Sequence, residues 1–191
     1  MDADSTILLL FACALIGYAL GGLGAAALGR RDAVANAFAF GLAALSSLCG
    51  LVAGALALLG GQTTSFALLP TSIPLLATTV TLDPLSAFFV LTTSLLGLAL
   101  SIYSFGYARG FHGKKNVGLL GCFYNWLLLS ITLVFCADNA LFFVLVWELM
   151  SLIAYCLVCF DHDSLPRGES LGLHRLLLRP CGWPRGWQSP R

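Results

Sequence analysis

From Ile7 to Phe160 the chain alternates long apolar runs with short polar breaks. A helix that crosses a bilayer needs ~20 mainly apolar residues. Five runs meet that length: about residues 7–28, 34–59, 85–107, 117–136 and 140–160. The first is closed by Arg30 and Arg31, the second by Gly60 and Gly61, the third by Arg109, the fourth by Asp138 and the fifth by Asp161. Lipid offers the backbone no hydrogen-bonding partner, so runs of this length are read as helices. The pattern therefore predicts an all-α integral membrane protein with about five transmembrane helices. Residues 1–163 form the transmembrane domain, and residues 164–191 form a short tail.

The third span opens on Leu82-Asp83-Pro84. Asp accepts the free N–H groups of a first helical turn, and Pro has its φ preset for the first helical position. Asp83 is therefore read as a helix cap rather than as a proton carrier. Between the second and third spans, residues 62–82 carry no charge and include Pro70 and Pro74. Their β-branched end, Thr78 to Leu82, suits a short surface hairpin. Gly17 with Gly21, and Gly50 with Gly54, have the GxxxG spacing that lets two helix backbones approach closely. The same spacing also arises by chance in helices this rich in Gly and Ala.

Charge sets the expected topology. The loop between spans one and two carries Arg30 and Arg31, and the loop between three and four carries Arg109, Lys114 and Lys115. The other two loops hold no Lys or Arg. The positive-inside rule places basic loops in the cytoplasm, so the N-terminus is expected outside.

Composition agrees with lipid as the solvent. Apolar residues make up 59% of the 191 and charged residues only 10%, against ~45–50% and ~25% in soluble domains. A formal net charge of +1 gives no reason to expect a nucleic-acid partner. The seven cysteines are odd in number and mostly lie inside apolar runs, which does not suit a disulfide framework. The N-terminus has Asp2 and Asp4 where a signal peptide carries basic residues, and its apolar run is too long for one. The tail holds Arg167, Arg175, Arg179, Arg185 and Arg191 together with Pro and Trp, without a sustained apolar period. It fits a short cytoplasmic extension. It fits better an out-of-frame translation of a G/C-rich gene, because those residue types have G/C-rich codons.

One residue stands out chemically. Glu148 lies inside the fifth run, in Phe142-Phe143-Val144-Leu145-Val146-Trp147-Glu148-Leu149-Met150-Ser151. It is eight residues from the start of that run, about 12 Å along a helix and so near mid-membrane. A carboxylate there costs ~2.5–3.5 kcal/mol even on the mild insertion scale, which points to an ion or proton path. The alternative is a neutral, hydrogen-bonded structural Glu. Ser151 and Tyr155 follow at i+3 and i+7 on the same helical face, and Cys159 and His162 continue toward the expected cytoplasmic side. This stripe suits a proton half-path, with interhelical packing as the other reading. Asn125 in the fourth run is read as an interhelical hydrogen bond. Cys156 and Cys159 with His162 and Asp163 have ligand types that zinc uses, but they sit in an apolar helix without a second Cys/His pair, so no metal is expected. The chain has no glycine-rich nucleotide loop following a strand, and no cofactor is expected.

Asp138-Asn139-Ala140-Leu141, then Trp147-Glu148-Leu149-Met150-Ser151-Leu152 and Tyr155, resemble the proton-translocating antiporter-like subunits. These are shared by respiratory complex I, Mrp-type cation/proton antiporters and membrane-bound hydrogenases. Asp83-Pro84-Leu85-Ser86-Ala87-Phe88-Phe89, with Ser101-Ile102-Tyr103-Ser104, look like the third helix of the same family. Within it the hydrogenase-4 and formate hydrogenlyase branch is most similar. The resemblance covers residues 82–163 well and the first two spans loosely.

It implies that Glu148 passes protons in partnership with a lysine two helices later. It also implies partner membrane subunits in the cell's inner membrane and coupling to a redox module in partner subunits. This chain would then be at most a non-redox part of an oxidoreductase complex. Family members have about fourteen helices built on two inverted five-helix repeats. This sequence has five spans, none of which holds Lys or Arg, so the expectation is an N-terminal fragment that does not transport alone. A cation/proton antiporter subunit and a small non-catalytic membrane scaffold are the competing readings.

Overall fold

A computed structural model describes residues 3–29, 31–61, 63–68, 78–108 and 116–162. Arg30, Pro70, Pro74, Arg109, Lys114, Lys115, Asp163 and the tail lie outside the described residues. Five helices follow in order: α1 (Ala3–Ala27), α2 (Asp32–Gly60), α3 (Pro84–Tyr107), α4 (Val117–Cys136) and α5 (Ala140–His162). Each is long and apolar enough to cross a membrane. The fold is thus the all-α membrane architecture that the apolar runs predict. Between α2 and α3 stands a hairpin of β1 (Thr64–Ala67) and β2 (Thr79–Leu82), antiparallel with Thr64 opposite Leu82.

The chain divides into two units, Met1–Leu157 and Val158–Arg191. Of the second, only residues 158–162 are described, and they are the last residues of α5. In the first unit α2 is the central element and lies against α1, α3 and α4. Its buried positions explain why. Ala35, Asn36, Ala39, Phe40, Ala43, Ser46, Ser47, Gly50, Ala53, Gly54 and Ala57 recur three, four and seven residues apart, so they form one helical face made, apart from Asn36 and Phe40, of small residues. Small side chains on that face let neighbouring backbones come close, which is how helices gain packing energy when lipid is as apolar as they are.

The glycines show how close the approach is. A Cβ on Gly17 would run into Ser46 of α2, and one on Gly21 would run into the Asn125 carboxamide of α4. Gly50 meets Ser94 of α3 in the same way, and a Cβ on Gly54 would sit 3.0 Å from the Ala87 carbonyl oxygen. Both GxxxG pairs are therefore packing faces rather than accidents of composition.

The helix ends obey local rules. Asp83 precedes α3 in extended conformation and its carboxylate accepts the Ser86 N–H at 2.8 Å, with Pro84 at the first helical position. Asn116 caps α4 by accepting the Leu119 N–H at 3.2 Å. Asn139 accepts the N–H groups of Leu141 and Phe142 at the start of α5. Gly61 ends α2 in the left-handed region at φ 60°, where glycine has no steric cost.

The interior is apolar at both ends of the bundle: toward the hairpin Ile7, Phe11, Leu15, Ala53, Ala57, Val80, Leu82, Ala87, Val90 and Cys136 form one buried cluster, and at the other end Ala25, Ala39, Phe40, Ala108 and Val117 form another. The hairpin belongs to the first cluster through Val80 and Leu82, and β2 also pairs beyond α4 through a Val80–Ala137 bridge and an Asp138 N–H to Thr79 carbonyl bond of 3.2 Å.

Candidate functional site: the face of helix five

α5 is packed differently from the other four helices. No other element makes an extensive contact with it among the described residues. Phe142 touches the hairpin-side apolar cluster, and Val146 and Ile153 are buried. The rest of its surface is open: Leu141, Phe143, Val144, Leu145, Trp147, Leu149, Leu152 and Tyr155 are all exposed large side chains. Glu148 lies on this open surface. Among the described residues no hydrogen bond or ion pair reaches its carboxylate. The four-helix block thus carries a membrane-spanning helix whose one acidic mid-span side chain faces outward.

The stripe read from the sequence is placed as follows. Ser151 is exposed and its hydroxyl donates to the Trp147 carbonyl of its own helix at 3.1 Å, so it makes no tie to another helix there. Tyr155 is 68% exposed, on the side of the helix that helical periodicity shares with Glu148 and Ser151. His162 ends α5, and its side chain lies outside what the structure describes. Cys156 is half-buried and Cys159 exposed, both as free thiols. Among the described residues no group of three His, Cys, Asp or Glu side chains is placed to hold a metal ion.

Asn125 is fully buried, and its amide donates to the Ala39 carbonyl of α2 at 3.1 Å and to Gly121 of its own helix at 2.9 Å. It is the interhelical tie that its position suggested. Its carbonyl oxygen packs on Gly21 and accepts no hydrogen bond from the described residues.

Sequence reasoning missed several further ties. The Tyr18 and Ser47 hydroxyls meet at 2.9 Å and join α1 to α2. The Tyr124 hydroxyl donates to the Gly97 carbonyl at 3.0 Å and lies 3.0 Å from the Ser101 hydroxyl, joining α4 to α3. The Asn36 amide donates to the Phe105 carbonyl at 3.1 Å and joins α2 to α3. A signal for them existed, since Asn36 and Ser47 fall on the small-residue stripe of α2. Their partners are remote in sequence, and no periodicity within one helix identifies them. Together these bonds make α1–α4 a cross-tied block.

Part of this chain is similar to hydrogenase-4 component B of Escherichia coli (strain K12). The two are 38% identical over 86 residues, which is 45% of this chain and 13% of the relative. The similar region therefore spans about an eighth of that protein. No family model matches the chain.

Proposed function

We propose that this chain is part of a proton-translocating membrane subunit of a hydrogenase-type complex, with Glu148 as its protonatable group. The observation that carries the reading is Glu148 itself. It is a mid-span carboxylic acid on an unpacked face of α5, in a chain partly similar to a hydrogenase component. An acidic group at that depth is costly unless a further helix or a water path meets it, so the open face is where such a partner is needed. Ser151 and Tyr155 extend the same face and provide hydroxyls along a half-path, which in the sequence is followed by His162. Protons and the neighbouring membrane subunits are the partners, in the cell's inner membrane. The redox reaction belongs to a redox module in partner subunits, and this chain contributes no cofactor of its own. None of the five described helices holds a Lys or Arg to serve as the cationic partner of Glu148, so the chain is not expected to conduct protons alone.

The test has two arms. The chain purified by itself into liposomes with an internal pH dye should show no proton flux, with or without Glu148→Gln. Assembled with hydrogenase-type membrane subunits, the wild type should support substrate-driven proton movement. Glu148→Gln should lower that movement at least severalfold while leaving co-purification intact. Undiminished proton movement in the assembled Glu148→Gln variant would overturn the assignment. An antiporter subunit would instead give sodium-dependent proton flux without a redox substrate, and a scaffold would give neither. The similarity to a hydrogenase component favours the first reading.

A further inference from the structure

A second feature lies at the opposite end of the block from the hairpin and is independent of Glu148. A cavity of about 460 Å³ opens there, lined by Ala26, Ala27, Leu28, Gly29, Arg31 and Asn116. It lies where α1 ends and where both α2 and α4 begin, because Arg31 is the residue before α2 and Asn116 the residue before α4. For a membrane protein this is the level at which apolar helix gives way to water.

The lining has two chemical parts. Ala26, Ala27 and Leu28 form an apolar wall. Arg31 and Asn116 supply hydrogen-bond donors. The Arg31 side chain makes no capping bond to α2. A guanidinium presents a planar fork of N–H groups that matches two oxygens of a phosphate. The Asn116 carboxamide is fixed, because its oxygen accepts the Leu119 N–H at 3.2 Å. Its NH₂ is left as a donor. The same carboxamide lies against Gly29, where a Cβ would be 3.4 Å from both of its polar atoms. No acidic side chain is among the lining residues. In the sequence, Arg30 precedes Arg31, and Lys114 and Lys115 precede Asn116.

We propose that this cavity binds the phosphate of an anionic phospholipid, with Arg31 and the Asn116 NH₂ as donors and the Ala26–Leu28 wall against the glycerol and first acyl carbons. Free phosphate would use the donors but gain nothing from the apolar wall. A zwitterionic lipid brings its own cation, which the Arg31 guanidinium repels. An anionic headgroup satisfies both parts, and basic side chains at a membrane surface attract such lipids generally.

The experiment uses the full chain in nonionic detergent micelles, with bound lipid counted by native mass spectrometry as phosphatidylglycerol or phosphatidylcholine is titrated in. Phosphatidylglycerol should bind and phosphatidylcholine should not. Arg31→Gln should weaken phosphatidylglycerol binding about tenfold, the usual consequence of losing one charge-assisted hydrogen bond. Arg31→Lys should retain most of it. Asn116→Ser keeps a capping oxygen but removes the NH₂, so it should weaken binding without unseating α4. Equal binding of the two lipids would overturn the proposal, and so would unchanged phosphatidylglycerol binding in both Arg31→Gln and Asn116→Ser. Displacement of the lipid by millimolar inorganic phosphate would show a simple anion site and overturn the lipid assignment.

Discussion

Asp83 shows how one side chain sets a helix end in this protein. Hydrogen bonds from the Ser86 hydroxyl and N–H hold its carboxyl below the usual carboxylate range. A lowered folded pKa means that the ionised cap stabilises the fold above the ordinary value of ~3.9 and that this contribution is lost as pH falls through the folded value. Asp83→Ala is expected to cost ~1 kcal/mol at neutral pH. The difference from wild type should shrink to nothing in strong acid, measured by unfolding in sodium dodecyl sulfate across pH. A cost that stayed constant down to the lowest pH would mean that the charge of Asp83 is not what caps α3. Glu148 is the opposite kind of residue. Nothing within its own helix calls for a carboxylate, and for that reason it is the chain's best candidate for function.

At the scale of elements, the block is held by close backbone approach and by a few polar ties. Gly21 bears on the Asn125 carboxamide, whereas Gly41 on α2 has open space where a side chain would go. Gly21→Leu should therefore destabilise by ~1–3 kcal/mol, as overpacking of a close contact does. Gly41→Leu should be neutral or slightly stabilising, because a helix gains when glycine is replaced. Equal losses for both would show that α1 and α4 do not meet as closely as the structure has them. Tyr18→Phe removes the hydroxyl that meets Ser47, and interhelical bonds in membranes average ~0.6 kcal/mol, so a loss of that order is expected. No other element makes an extensive contact with α5 among the described residues, so substitutions of Leu145 and Leu149 on its open face should leave the stability of the isolated chain nearly unchanged.

At the scale of the whole molecule, the charge pattern makes a topological prediction. The Asn36–Phe105 bond puts the start of α2 beside the end of α3, and the cavity at Gly29 and Asn116 puts the end of α1 beside the start of α4. Both basic loops thus leave the block at one end, and the hairpin caps the other. Single cysteines introduced at Arg31 and Lys114, in a background without native thiols, should react with membrane-impermeant reagent only from the cytoplasmic side. Cysteines at Gln62 and Asp138 should react from the outside. Labelling of Gln62 and Lys114 from the same side would sink this arrangement.

What the sequence determined by itself was the solvent and the units. Five apolar runs longer than a bilayer core leave the backbone no alternative to helices, and charged or glycine breaks mark where each ends. The cap at Asp83, the pairing potential of the GxxxG residues and the isolation of Glu148 in an apolar run were all legible, because each rests on chemistry local to one segment. Only the tertiary structure decided which helices share a block. The stripe on α2 does not say whether its small residues meet α1, α3 or α4, since lipid-facing and helix-facing positions are equally apolar. Nor does the sequence pair Tyr18 with Ser47, or Asn36 with the Phe105 carbonyl, because bonds between distant residues depend on how helices are arranged. Whether Glu148 lies in a packed interior or on an open face is likewise a property of how α5 stands among its neighbours, and no period within α5 encodes it.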